Sequence, residues 1–249
     1  MEKIIQPSVS SKPIGGEPIK FVDISSDGQF SVTAEAMSTL EKHQARKIAV
    51  VAVAGPHQTG KSFLCNQVLG RMNGFGIGST VETGTSGIWM WSQLIPVTGP
   101  DGADTGTDIL LLDVEGLHSP QRSYDIDVKI FALTILLASN LIYNQIGNIS
   151  DQALENLSMV LLLTNEIKVH HQHETGLEFK SFFPDFSWVL RDCSLDFKHL
   201  TPETYLEQCL EQERGFSDDT QKNAIRQSLK KFFPKIECIS MGRPVDDQG

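Results

Sequence analysis

No apolar run in the 249 residues is long enough to cross a bilayer. The longest, Ile130 to Tyr143, is broken by Thr134, Ser139 and Asn140 and falls short of the roughly 20 residues a membrane helix needs. It reads instead as a buried helix running into a buried strand. No secretory signal is expected, because MEKIIQPSVSSKPIGGEP has no apolar stretch behind its early lysine, and the closing DDQG has no cysteine to carry a lipid. Without a signal, the acceptor patterns at Asn148-Ile149-Ser150 and Asn156-Leu157-Ser158 are expected to be chance matches. Cysteine is scarce: Cys65, Cys193, Cys209 and Cys238 are too scattered for a zinc site or a redox pair. Reduced thiols in a cytoplasmic protein are the expectation. Positive charge is short as well, since 21 Lys and Arg against 31 Asp and Glu leave a net charge of -10. Such a surface repels a nucleic-acid backbone and excludes general nucleic-acid binding.

What remains is an ordinary globular composition. With 40% hydrophobic residues and 20 glycines, a chain of this length buries a core without disulfide staples, as one large domain or two small ones. Residues 1 to 17, rich in Ser, Pro and Gly, read as a flexible arm. IKFVD and FSVTAE around Asp27-Gly28 read as a hairpin leading into a helix from Ala34 to His43. The apolar run Ile48 to Ala54 has the pattern of a strand covered on both faces, and a helix from Lys61 to Gly70 follows. After a glycine-rich stretch, Asn73 to Gly87, come an extended GIWMWSQLIPV and a turn-rich loop, TGPDGADTGTD. Strands at Ile109 to Asp113, LIYN, FSWVLRD and IECIS alternate with helices at Asp125 to Ala138, Ser150 to Lys168, Pro202 to Gln212 and Thr220 to Phe232. That alternation predicts an α/β fold with a mostly parallel, doubly wound sheet flanked by helices. There is no internal repeat.

Gly55-Pro56-His57-Gln58-Thr59-Gly60-Lys61-Ser62 fits the phosphate-loop pattern G-x-x-x-x-G-K-[ST], and it lies between a buried strand and a helix, where the pattern has physical meaning. A glycine-permitted turn aims successive backbone N–H groups at a phosphate, the helix N-terminus adds its dipole, Lys61 supplies a point charge and Ser62 a metal-binding hydroxyl. The strand ILLLD ends at Asp113 and continues Val114-Glu115-Gly116, so an aspartate able to accept from magnesium-bound water precedes a glycine N–H able to reach a γ-phosphate. Between the two lies the loop Ser79 to Gly87, whose Thr80, Thr83 and Thr85 are equally able, on chemistry alone, to complete a magnesium shell. The Asn-Lys-x-Asp string of small GTP-binding switches is absent, and its nearest relic, Leu163-Thr164-Asn165-Glu166, falls in a predicted helix. A carboxylate can select guanine because it accepts from ring N–H and exocyclic amine together. Asp192, at the carboxyl end of FSWVLRD with Arg191 beside it, is the best-placed carboxylate.

GPHQTGKSFLCNQVLG, GSTVETGTSGIWMW, LLLDVEGL, IFALTILLASNLIYNQIGNI, LRDCSLDF with LTPETYLE, and FFPKIECISMGRP together resemble the GTPase domain of the guanylate-binding proteins, relatives of the atlastins in the dynamin superfamily. The resemblance runs from Ile19 to Val245. It implies a large GTPase domain over residues 18 to 249 that binds GTP or GDP with Mg²⁺, hydrolyses GTP, and uses nucleotide state to control self-association as a homodimer. By it, Gly55, Gln58, Thr59, Gly60, Lys61, Ser62, Phe63, Thr85, Asp113, Gly116, Arg191 and Asp192 bind nucleotide. Ser62 and Thr85 hold the metal. Thr83 takes the place of the small hydroxyl residue near the attacking water, Glu115 joins its hydrogen-bond network, and Asp192 reads guanine with Arg191 as its partner. Two departures stand out. The family usually carries an arginine finger at the fourth position of the phosphate loop, where this chain has neutral Gln58. Turnover is therefore expected to be slow, and the alternative is a GTP-loaded scaffold with little or no hydrolysis. The chain also stops shortly after Gly242-Arg243-Pro244, so the family's complete guanine cap and its helical domain are expected to be missing.

An ATP-using phosphotransferase built on the same loop lacks a recognisable acceptor motif. His170, His171 and His173 are expected to be exposed rather than metal-bound, since consecutive side chains point to different faces. Trp89 and Trp91 alternate in an extended segment and are expected as packing anchors. Lys222, Arg226, Lys230 and Lys231 are expected as a solvated helix face.

Overall fold

The computed structural model describes residues 13–25, 27–76, 87–117, 123–158, 183–193, 197, 200–211 and 219–242. Among them nine strands and six helices occur, and five of the strands (β3, β6, β7, β8 and β9) have a parallel partner. The chain divides into two compact units, residues 1–53 with 60–115 and residues 54–59 with 116–249. Residues 79–86 of the threonine-bearing loop, Arg122 (the arginine after Glu115, a candidate substitute for the missing finger charge), the region of His170 to His173 and all but the first turns of the predicted Ser150 to Lys168 helix lie outside the described residues.

In the first unit β1 (Pro18–Ile24) pairs antiparallel with β2 (Phe30–Val32), as the Asp27-Gly28 turn predicts. Thr33 then caps α1 (Ala34–Glu41) by accepting from the Ala36 N–H, so the helix starts where the last strand residue stops. The remaining elements are β3 (Lys47–Ala54), α2 (Lys61–Val68), β4 (Ile88–Trp91), β5 (Ile95–Thr98) and β6 (Asp104–Val114). Strand order is β2-β1-β4-β6-β3, with β5 also paired to β6. β3 and β6 run parallel from Lys47 opposite Thr107 to Val53 opposite Asp113, which sets the aspartate beside the last turn of chain before the phosphate loop. Trp91 is buried and its indole N–H donates to the Gly15 carbonyl at 2.6 Å, while Arg71 lies over its ring. Both tryptophans pack as expected, Trp89 beneath Lys20.

Two expectations change here. The described end of the N-terminal arm is tied down, because Arg71 donates to the carbonyls of Ile14 and Gly16 and the Ile14 N–H donates to Leu69. A string of Ser, Pro and Gly says little about order when its partners are backbone carbonyls. The turn-rich loop is also shorter than its composition suggests, since Asp104 to Asp108 already belong to β6. Arg46 holds that stretch, donating from both terminal nitrogens to Asp104 at 2.7 and 2.8 Å and from Nε to buried Asp108 at 2.7 Å. Arg46 and the Gly106 N–H pull the Asp104 carboxyl far below the usual carboxylate range. A depressed acid contributes stability that is present above its unfolded value near 4 and fades as pH falls further. Arg46→Ala is therefore expected to lower the thermal midpoint at pH 7, with the gap to wild type narrowing below about pH 4 in melts followed by circular dichroism. A gap independent of pH would show that Arg46 acts through packing alone.

The second unit carries α3 (Tyr124–Leu137), β7 (Asn140–Ile146), α4 (Asp151–Asn156), β8 (Asp185–Arg191), α5 (Pro202–Cys209), α6 (Asp219–Phe232) and β9 (Ile236–Met241). β7, β8 and β9 are parallel and in that order, with Ile146 opposite Arg191 and Arg191 opposite Met241. Parallel strands need coverage on both faces, and their sequence supplies it. Tyr143, Phe131, Phe186, Trp188 and Phe233 are fully buried or nearly so, with the Phe186 and Phe233 rings 4.9 Å apart. The expected solvated face on α6 is corrected at two positions. Arg226 is buried, donating to the Cys209 carbonyl and to Asn223, and Lys222 donates to Asp151 at 2.7 Å, which ties α6 to α5 and α4. Among the described residues no helix is long and apolar enough to cross a membrane.

Candidate functional site

Burial along β3 deepens toward the loop, and Ala52, Val53 and Ala54 are fully enclosed. The chain then turns at Gly55, whose φ of 144° no side chain adopts easily, and a Cβ there would meet the Asn144 carbonyl oxygen at 2.2 Å. In the second unit the Leu117 N–H donates to the Gly55 carbonyl at 3.0 Å and the His57 N–H to the Leu117 carbonyl at 2.8 Å. This pair fastens the loop's start to the residue after Gly116. Gln58 sits at φ 60°, a left-handed conformation uncommon outside glycine and suited to a tight turn. Thr59 donates to the Pro56 carbonyl at 3.0 Å and receives two bonds from the Asn144 side chain.

In the first unit Gly60, at φ 80°, is the N-cap of α2. It brings no side chain to the helix N-terminus, as a helix that receives an anion requires. Lys61 opens the helix and is buried, unusual for a lysine, and Ser62 donates to the Asp113 carboxylate at 2.6 Å. The structure thus brings Asp113 onto Ser62, 51 positions away in the sequence, beside the adjacent Lys61. Phe63 is half-buried in the same turn of helix. Cys65, one turn on, is fully buried, and burial with the nearby Asp113 charge pushes its thiol well above its usual range. Glu115 accepts from the Gly87 N–H at 2.5 Å while its own N–H donates back to the Gly87 carbonyl, so the strand-ending acid grips the last residue of the threonine-bearing loop. Gly87 admits no side chain there, since a Cβ would lie 2.2 Å from the Val22 carbonyl oxygen.

Asp192 stands exposed at the carboxyl end of β8 at φ 52°, which aspartate tolerates better than most residues. Its N–H donates to Met241, and the Gly147 N–H donates to Arg191 at 2.7 Å, so the ends of β7, β8 and β9 fix the turn. Cys193 donates to Asn148 at 3.0 Å. Thr83 and Thr85 lie outside the described residues. The sequence assigns no site role to Asn144 or to Gly87, which marks only the end of the threonine-bearing loop. The one signal for Asn144 was a polar side chain inside an apolar strand. All four cysteines are free thiols, and no group of three or more His, Cys, Asp or Glu among the described residues could hold a metal ion.

A parallel strand entering a glycine turn, a helix that opens on a buried lysine and a serine, and a neighbouring strand that ends on that serine's aspartate define the fold class of a phosphate-loop GTPase domain. The family model described as Guanylate-binding protein, N-terminal domain, matches residues 27–249, and the chain belongs to the guanylate-binding protein family. It is 38% identical to guanylate-binding protein 1 of Mus musculus over 241 residues, 92% of this chain and 40% of that protein. To guanylate-binding protein 1 of Homo sapiens it is 39% identical over 232 residues, 88% of this chain and 38% of that protein. The chain thus spans about two fifths of the curated relatives it matches. Among solved structures, Toc33 from Arabidopsis thaliana superposes with a TM-score of 0.44 at 15% identity, covering 87% of this chain and 81% of that one.

Proposed function

We propose that this domain binds GTP with Mg²⁺, hydrolyses it slowly, and uses the nucleotide state to control self-association as a homodimer. The observation that carries the reading is the Ser62 hydroxyl on the Asp113 carboxylate, beside a buried lysine at the start of α2. A hydroxyl and a carboxylate are the hard oxygen donors that suit Mg²⁺, and Ser62, with Thr85 from the threonine-bearing loop, would hold it. There it would supply charge neutralisation at the phosphates. Lys61 and the backbone of Gly55 to Phe63 bind the phosphates, while Asp113 orients the Ser62 hydroxyl. Gly116 meets the third phosphate, and Thr83 with Glu115 orients the attacking water. Glu115 accepts from the Gly87 N–H, a bond that ties the acid to the end of the loop that carries Thr83 and Thr85. Arg191 and Asp192 read the base.

Gln58 favours a second reading, a GTP-loaded scaffold with little turnover, because a neutral amide leaves transition-state charge unmet. Incubation of the purified protein with GTP and with ATP, with product analysis over hours, separates the two. Base choice has its own test. Asp192→Asn puts a donor where guanine needs an acceptor, and the preference for GTP over ATP is expected to fall on the order of 10²-fold in competition binding. Full preference in that variant would move the guanine reader elsewhere.

A further inference from the structure

We infer that Asn144 is a positioning residue for the phosphate loop, an inference that rests on the phosphate-loop reading of Gly55 to Ser62. Asn144 lies on β7 and is fully buried. Its side-chain amide donates to the Thr59 carbonyl at 2.8 Å and to the Thr59 hydroxyl at 3.2 Å, and that hydroxyl passes a bond to the Pro56 carbonyl at 3.0 Å. The acceptor on Thr59 can only be met by the nitrogen of the amide, so the orientation of Asn144 is fixed by its partner. The backbone of the same residue presses on the loop's other end, where its carbonyl oxygen occupies the space a Cβ on Gly55 would take. One residue therefore braces the loop at Gly55 and at Thr59.

A loop whose backbone is braced at both ends before nucleotide arrives costs less reorganisation on binding. Packing does not explain the residue. Among the described residues the Asn144 Oδ1 has no hydrogen-bond partner, a loss that a valine or leucine at this point of an apolar strand would not incur. The retained amide is explained by what its nitrogen holds.

Asn144→Asp keeps the shape and places an acceptor against the Thr59 carbonyl, and Asn144→Ala removes the amide. In the full chain, both are expected to lose roughly 10- to 100-fold in affinity for a fluorescent GTP analogue. The ratio of GTP to ATP affinity should stay at the wild-type value, because the base end is untouched. Folded variants that bind as wild type, with Lys61→Ala having lost binding, would overturn the inference alone. If Lys61→Ala also bound as wild type, the phosphate-loop reading itself would fall. A loss of affinity accompanied by a collapse of the GTP to ATP ratio would mark general disorder and overturn the positioning role. Should neither variant fold, hydrogen exchange on nucleotide-free wild type decides. The His57 amide, which donates to the Leu117 carbonyl inside the loop, is expected to exchange as slowly as β7, and fast exchange there would refute a preset loop.

Discussion

Lys61→Ala is expected to abolish detectable GTP binding in a protein that remains folded. Lys61 is only 7% exposed, and its neighbourhood contains the Asp113 carboxylate, since both charges act on the buried Cys65 thiol, in opposite directions. Removing the ammonium leaves the carboxylate facing an incoming triphosphate with one compensating cation fewer. Truncating one partner of a buried, hydrogen-bonded charge pair in a complex, here the ammonium on a phosphate, costs about 2 to 5 kcal/mol, or roughly 30- to 5,000-fold in affinity. The fold should survive, because the neighbouring core of Leu64, Cys65 and Leu69 does not depend on the charge. Titration with a fluorescent GTP analogue, alongside circular dichroism, gives the answer. Unchanged affinity in a folded variant would remove Lys61 from the phosphates and with it the reading of Gly55 to Ser62 as a phosphate loop.

The elements that carry this chemistry were readable because their patterns are local. A run of seven apolar residues before Gly55 can hardly be anything but a strand, and Gly60-Lys61-Ser62 opens a helix in the only register that serves a phosphate. The start of β6 was not readable: Asp104-Thr105-Gly106-Thr107 has turn composition and becomes strand through β5 and the two carboxylates that Arg46 grips from fifty-eight or more residues away. Arg226 misled for the same reason. Its spacing on α6 suits a wet face, and its burial follows from a carbonyl of α5, a partner with no sequence signature. At the site the split is similar. Residue type singled out Lys61, Ser62, Asp113 and Asp192 as candidates, whereas the side-chain contact of Asn144 with Thr59 and that of the Gly87 N–H with Glu115 arise only in the fold.

Gln58 is where this chain departs most from what its family leads one to expect, and Gln58→Arg is expected to accelerate hydrolysis. Phosphoryl transfer spreads negative charge over the γ-phosphate oxygens, and on the proposed reading a loop with glutamine at this position would offer that charge only Lys61, backbone dipoles and the metal. An arginine finger is worth about 10³ to 10⁵ in rate, so even an imperfectly placed guanidinium should raise the single-turnover rate by roughly an order of magnitude or more. The backbone should accept it. Glutamine already holds φ 60° here, and arginine, equally unbranched at Cβ, brings no added strain. GTP affinity should change far less than the rate, because the new charge is matched to the transition state rather than to bound substrate. A rate that stays constant or falls while binding is preserved would mean that the charge already comes from elsewhere. Arg122→Ala, and mixing with a partner copy, would then locate the source. If wild type binds GTP and releases no product even at concentrations where dimers form, the scaffold reading replaces the enzyme.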